Sequence, residues 1–318
     1  MVKSLAAACC QEGDLLIFNP LATPTRCVIH TTLYSRADNI TLTYQGQPLP
    51  FDVLERETLP GGTAISLTCE GERETHLPPY FRWHVVLQTP LLPPVGYITV
   101  NLKDTPAPFA RTCAAKGEAI ENTVYRLTLE AGTLVLEDKR NARRITSLFS
   151  LEDCADAGDS YDFSPLAGDV PTRCAHFTLI DCSKTPLCQT MVLEAVMSLP
   201  PDLAGRRENT RTPLSMRIVC ELRHDDPNLH VDSSLVNSHC DHRLRLLINS
   251  DICPRHSLAS QPFSIIERET GYDDTHWQER YREKPVDIET SEGIIAIAQA
   301  GKALVVNSHG MKEFQVIG

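Results

Sequence analysis

The stretch LSMRIVCELR, residues 214–223, alternates apolar and polar side chains. Leu214, Met216, Ile218, Cys220 and Leu222 fall on one side; Ser215, Arg217, Glu221 and Arg223 fall on the other, and Val219 is the one exception. Successive side chains of a strand point to opposite faces, so this period of two predicts a strand with one face in a core. Met191, Leu193, Ala195, Met197 and Leu199 repeat the pattern upstream, with Glu194 and Ser198 opposite. Tyr125–Lys139, YRLTLEAGTLVLEDK, reads as two strands joined by a tight turn at Ala131-Gly132. A similar turn is expected at Ala300-Gly301-Lys302, between IIAIAQ and ALVVNS, and DDPN, residues 225–228, marks another hairpin-like break. The 22 prolines and 16 glycines fall mostly between such runs, as punctuation.

Helical periodicity is confined to Val2–Gln11. Many short strands, regular turn signals and no alternation of strands with helices predict an all-β, sandwich-type fold. The segment 103–119, KDTPAPFARTCAAKGEA, has no strand pattern and marks a boundary. Four parts are therefore expected: the end of a helix over 1–12, a small β-sandwich over 13–104, a linker over 105–118 and a larger β-sandwich over 119–318.

A chain of 318 residues with 42% hydrophobic and 22% charged residues has the composition of an ordinary soluble protein. No run of eighteen apolar residues occurs, so no membrane partner is expected, and the N-terminus lacks the apolar core of a secretory signal. A net charge of −11 argues against nucleic acid and anionic membranes. Twelve scattered cysteines without an export signal or a C-x-x-C pair are read as free thiols of a cytoplasmic protein, with no structural zinc site.

No G-x-S-x-G, P-loop or G-x-G-x-x-G motif is present. Two segments gather chemistry-bearing residues. NSHCDHRLR, residues 237–245, crowds two histidines, a cysteine and an aspartate together. On a strand His239 and Asp241 would share one face, and Cys240 and His242 the other, so neither pair closes a metal site. The segment is read as a structural strand in which Asp241 is buried beside a cation, Arg243 or Arg245. DCADAGDSYDFSP, residues 153–165, sets Asp153, Asp156, Asp159 and Asp162 at every third position around Tyr161. That spacing does not fit a calcium loop, which alternates its acids and ends on a glutamate. A glycosidase pair stands about 5–10 Å apart, a distance one loop can span, and a solvated turn accommodates the run equally well.

Read in order, LLIFNPL (15–21), PPVGY (93–97), IENTVYRL (120–127), GTLVLEDK (132–139), GDSYDFSP (158–165), DHRLRLLI (241–248), QPFSIIER (261–268) and GMKEFQVIG (310–318) form a recognisable series. The series resembles the non-catalytic β region of glycoside hydrolase family 38, the α-mannosidases, and within it the bacterial branch that includes mannosylglycerate hydrolase. The resemblance covers nearly the whole chain, with GDSYDFSP and DHRLR its most specific motifs. It implies that the large sandwich is a truncated supersandwich and that 1–12 ends a helical bundle, as in an excised piece of a longer enzyme. It implies retaining hydrolysis of α-mannosides, mannosylglycerate or its 6-phosphate among them, by a catalytic domain that would also hold the zinc. No H-x-D-x-x-W motif of that domain occurs, so no catalytic residue and no cofactor is assigned to this chain.

The partners implied are the chain's own catalytic domain and a mannoside; oligomerisation is left open. In the resembling family a tyrosine of the matching motif lines the mannose pocket, which here is Tyr161. Gly158 would allow the turn, and Asp159 and Asp162 would brace the loop. The competing reading, a free-standing carbohydrate-binding or adhesion module, needs an aromatic platform, and only Trp83 and Trp277 offer indoles.

Overall fold

The computed structural model describes residues 8–11, 13–69, 71–105, 117–158, 163–271, 275–282 and 287–317. It is all-β, with two short helices among the described residues beyond the N-terminal Ala8–Cys9 turn. The helix expected over Val2–Gln11 and the linker over 105–118 lie largely outside them. The chain divides into two compact units, Met1–Leu247 and Ile248–Gly318.

The first unit opens with nine strands: β1 (Leu15–Asn19), β2 (Val28–Ser35), β3 (Ile40–Tyr44), β4 (Gln47–Pro48), β5 (Phe51–Leu59), β6 (Gly62–Thr68), β7 (Gly71–Leu77), β8 (Tyr80–Gln88) and β9 (Gly96–Asp104). One sheet runs β1-β9-β3-β4 and another β2-β8-β5. Alternate residues of both meet in one apolar core. Ile17, Leu42, Ile98 and Val100 come from the first sheet, and Leu33, Val53, Trp83, Val85 and Leu87 from the second. Trp83 is fully buried, and its indole N–H donates to Ser35 Oγ at 2.8 Å. β6 and β7 form a two-stranded arm whose residues are all exposed.

Eleven further strands follow: β10 (Ala119–Glu121), β11 (Tyr125–Glu130), β12 (Thr133–Asp138), β13 (Arg143–Ile145), β14 (Phe149–Ala155), β15 (Thr172–Cys174), β16 (Thr178–Lys184), β17 (Cys188–Leu199), β18 (Thr212–Arg223), β19 (Leu229–Leu235) and β20 (His242–Ile248). Helix α1 (Leu203–Glu208) connects β17 to β18. The sheets run β10-β11-β12-β13, β15-β14-β20 and β16-β17-β18-β19. β17 and β18 pair without a bulge from Cys188↔Arg223 to Leu199↔Thr212. The side read as apolar from 214–223 is the buried side. The turn between β11 and β12 falls at Ala131 and Gly132, both at positive φ. Only glycine suits the second position, because a Cβ there would lie 2.1 Å from the His176 ring.

The sheet β2-β8-β5 also buries its outer side. Val28 and Val86 pack against Leu187 and Cys188, at the hairpin between β16 and β17. There the backbone N–H of Leu187 donates to Asp52 Oδ2 at 2.8 Å. Arg223 Nη1 donates to the Val28 carbonyl at 3.2 Å.

The second unit holds β21 (His256–Gln261), β22 (Ser264–Glu269), α2 (Trp277–Arg280), β23 (Glu289–Thr290), β24 (Ile294–Gln299), β25 (Lys302–Asn307) and β26 (Glu313–Phe314). Its sheet runs β22-β21-β24-β25, beside the pair β23-β26. The turn at Ala300-Gly301 joins β24 to β25, with both residues at positive φ. No described helix is long and apolar enough to cross a membrane.

Candidate functional site

The loop after β14 stands on a floor of buried charge. β14 reads FSLEDCA, an acidic pair set inside an otherwise apolar strand, and Glu152 and Asp153 point to opposite faces of its sheet. Both are buried. An unpaired buried carboxylate costs several kcal/mol, so each needs a cation.

On one face Arg173 of β15, directly opposite Glu152 in register, donates from Nε to Glu152 at 2.5 Å. Arg245 of β20 donates to the other carboxylate oxygen. Burial pushes the Glu152 carboxyl up, but the hydrogen bonds from Arg245 and Arg173 outweigh it and hold the group below the usual carboxylate range. On the other face Asp153 receives Arg206 of α1, and His242 Nδ1 at 2.6 Å. Arg206 Nη1 also donates to Asp169 at 3.0 Å, and Asp169 in turn accepts the Ala155 backbone N–H at 2.7 Å. α1 itself is held at its start by Asp202, whose carboxylate accepts the Gly205 N–H at 2.7 Å.

Asp156 closes the base of the loop. Its Oδ1 accepts the backbone N–H groups of Gly158 at 2.9 Å and Ser164 at 3.0 Å. The Ala157 N–H donates to the Ser164 carbonyl at 2.8 Å, so the two ends of the loop are tied together. Across the returning end, the Arg243 guanidinium lies 5.0 Å from the centre of the Phe163 ring.

The four acids of the run therefore separate. Asp153 is a buried partner of cations, and Asp156 is the brace. Asp159, Tyr161 and Asp162 lie outside the described residues, while Gly158 is exposed at the loop base. Asp241 departs from its expected place: it is exposed, at φ +52°, and its carboxylate accepts the Leu203 N–H at 3.4 Å. The reason is local. β20 begins only at His242, so the alternation assumed from residue 239 onward does not apply, and a left-handed residue ahead of the strand turns its side chain outward. The backbone of Asp241 is used instead, its carbonyl accepting the Asp156 N–H at 2.9 Å. Arg245 is paired with Glu152 and Arg243 with Phe163 rather than either with Asp241.

Glu152, Asp153, Arg206 and His242 carry this floor. Glu152 and Arg206 were not singled out in the sequence, and Asp153 and His242 were named there only as members of the acidic run and of the 237–245 segment. The available signal was a charged pair inside a buried strand, which demands cations from elsewhere. Chemically the floor holds and orients; its carboxylates are committed to arginines and shut away from solvent. Its groups do not include the trio of potential metal ligands that come together among the described residues, His30, Cys188 and Glu221.

No protein-family model matches the chain. It is 21% identical over 218 residues to a Halalkalibacterium halodurans protein described as "Putative mannosylglycerate hydrolase", covering 62% of this chain and 24% of that one. Its fold is similar to that of an alpha-mannosidase from Enterococcus faecalis V583, with a TM-score of 0.75, 15% identity, and 96% of this chain against 38% of that one. A glycosyl hydrolase family 38 protein from Enterococcus faecalis gives a TM-score of 0.72 and 14% identity, covering 96% and 39% of the two chains. The chain thus spans about a quarter of the curated relative and under two fifths of these solved structures.

Proposed function

We propose that this chain is the non-catalytic β region of a retaining α-mannosidase and that its 157–164 loop lends Tyr161 to the rim of the sugar pocket. The reading is supported by similarity to mannosidase-type proteins at the level of sequence and fold. The observation that carries it is the pinned loop. Its described ends are fastened by Asp156 beside a buried lattice of paired charges, a base suited to holding a contact residue still. A phenol suits that place, since its ring packs on the apolar face of a sugar while its hydroxyl hydrogen-bonds a sugar oxygen. Asp159 and Asp162 would add to the brace that Asp156 supplies.

The partners in this reading are the protein's own catalytic domain and an α-mannoside, with mannosylglycerate or its 6-phosphate as candidates. The nucleophile, the acid/base and the zinc would belong to that domain. The residues here do not fit those roles, because no H-x-D-x-x-W motif occurs and the buried acids of the floor are already paired. No step of the reaction is assigned to them, and the chain alone is proposed to hydrolyse no mannoside. A free-standing carbohydrate-binding module is the weaker reading, because Trp83, one of two indoles, is fully buried and cannot form a platform.

The deciding experiment is Tyr161→Phe in the full-length enzyme, with kcat/KM for an α-mannoside falling about tenfold, one hydrogen bond's worth. The melting temperature should stay in place. Unchanged kinetics would return the loop to a solvated turn. Turnover of an aryl α-mannoside by the isolated chain would overturn the non-catalytic reading.

A further inference from the structure

Away from the loop, three metal-ligating side chains converge where the small sandwich meets the β17–β18 ladder. His30 comes from β2, Cys188 opens β17, and Glu221 lies on β18. Thr190 stands opposite Glu221 in register, so Cys188, two residues before it, is a diagonal neighbour of Glu221 on the same face. His30 Nε2 lies 2.9 Å from Glu221 Oε2, and the donor atoms of all three residues fall within 4.8 Å of one another.

We propose that His30, Cys188 and Glu221 form a binding site for a divalent cation of the zinc class, which staples the small sandwich to the sheet behind it. One imidazole, one thiolate and one carboxylate make a donor set that zinc accepts, with bonds of about 2.0–2.3 Å. Around a tetrahedral ion such donors stand roughly 3.3–3.7 Å apart. The His30–Glu221 contact must therefore open by a few tenths of an ångström, and the thiol lies within 4.8 Å of both partners.

The surroundings suit an ion on one side and water on the other. Cys188 is 3% exposed and packs with Val28, Val86 and Leu187. The Glu221 side chain is 12% exposed and that of His30 39%, which leaves an entry route and room for water as fourth ligand. Arg223 Nε donates to Glu221 Oε1 at 2.5 Å. His30 Nε2 also lies 3.0 Å from Oε1, and the Arg223 bond orients the carboxylate, as outer partners of metal ligands do.

The charges also balance. Without an ion, burial and the Glu221 carboxylate push the Cys188 thiol up to about 12. A bound cation reverses that bias: the thiol proton goes to solvent, the sulfur–metal bond forms, and thiolate plus carboxylate neutralise the double charge. The proposal is independent of any mannosidase activity. The expectation that the chain lacks a zinc site rested on local spacing, which does not register a set drawn from positions 30, 188 and 221.

The test is titration of the purified, chelator-treated chain with cobalt(II), followed by zinc competition. We expect one equivalent to give a thiolate-to-cobalt charge-transfer band that zinc abolishes. Cys188→Ser should remove the band, and His30→Ala, at an exposed position that folding tolerates, should weaken binding about a hundredfold. Zinc should also raise the melting temperature of the wild type but not of His30→Ala. A band that persists unchanged in both variants would trace to exposed thiols such as Cys69 or Cys253 and would overturn the proposal. So would the absence of any band, which would leave His30, Glu221 and Arg223 as an ion-pair network alone.

Discussion

The core around Trp83 and the floor beneath the 157–164 loop are both sealed interiors, built on opposite principles. In the first, Leu33, Leu42, Val85, Leu87 and Val100 fill space, and the buried indole N–H of Trp83 donates to Ser35. In the second, Glu152 and Asp153 meet Arg245 and Arg206 as matched charges, with His242 hydrogen-bonded to Asp153. An apolar core loses stability in proportion to the volume removed. A charged interior fails in steps, because each missing partner strands another group without water. One region therefore accepts substitutions that keep size, and the other accepts only those that keep charge.

Four measurements bear on that contrast. The largest effect is expected from Asp153→Ala, which leaves Arg206 and His242 facing a void; urea unfolding should show a loss of about 4 kcal/mol. The sharper comparison keeps volume nearly constant. Asp153→Asn, which removes only the charge, should cost about 3 kcal/mol, whereas Leu87→Met should cost less than about 1.5 kcal/mol. Equal costs for the two would break the contrast.

Acid should act on the floor and not on the apolar core. The Glu152 carboxyl is held below its ordinary range in the folded state, so its contribution is present above the unfolded value of about 4.3 and is lost as pH falls through the folded value. Urea midpoints should drop below about pH 4, and Glu152→Gln, already weakened at neutral pH, should show a shallower drop. Identical slopes for both proteins would assign the acid response to other groups. The smallest effect is expected on the exposed arm, where Leu67→Ser, at a residue 84% exposed, should shift stability by less than about 0.5 kcal/mol.

What was legible in the sequence follows burial. β17 and β18 announce themselves because one face of each is packed and the other is not, and the alternation records it. The turns at Ala131-Gly132 and Ala300-Gly301 are legible because positive φ selects glycine. The β6–β7 arm left no such mark: its ladder is regular, but neither face is buried, so GTAISLT and GERETHL carry no apolar period. The candidate site was half visible. The acidic run located the loop, but nothing in the run separates Asp153 from Asp156, because the difference lies in Arg206 and His242, more than fifty and almost ninety residues away. Asp241 was misplaced because a single left-handed residue resets the alternation.

The hydrogen bond from Leu187 to Asp52 also sets a schedule. Asp52 leaves the ribosome 135 residues ahead of its partner. At roughly 5–20 residues per second, that interval is on the order of ten seconds. Meanwhile the nascent sandwich can complete β9 and bury Trp83, but Val28 and Val86 wait uncovered on its outer sheet until Leu187 and Cys188 arrive. During synthesis this molecule therefore carries an apolar patch that its finished form does not show.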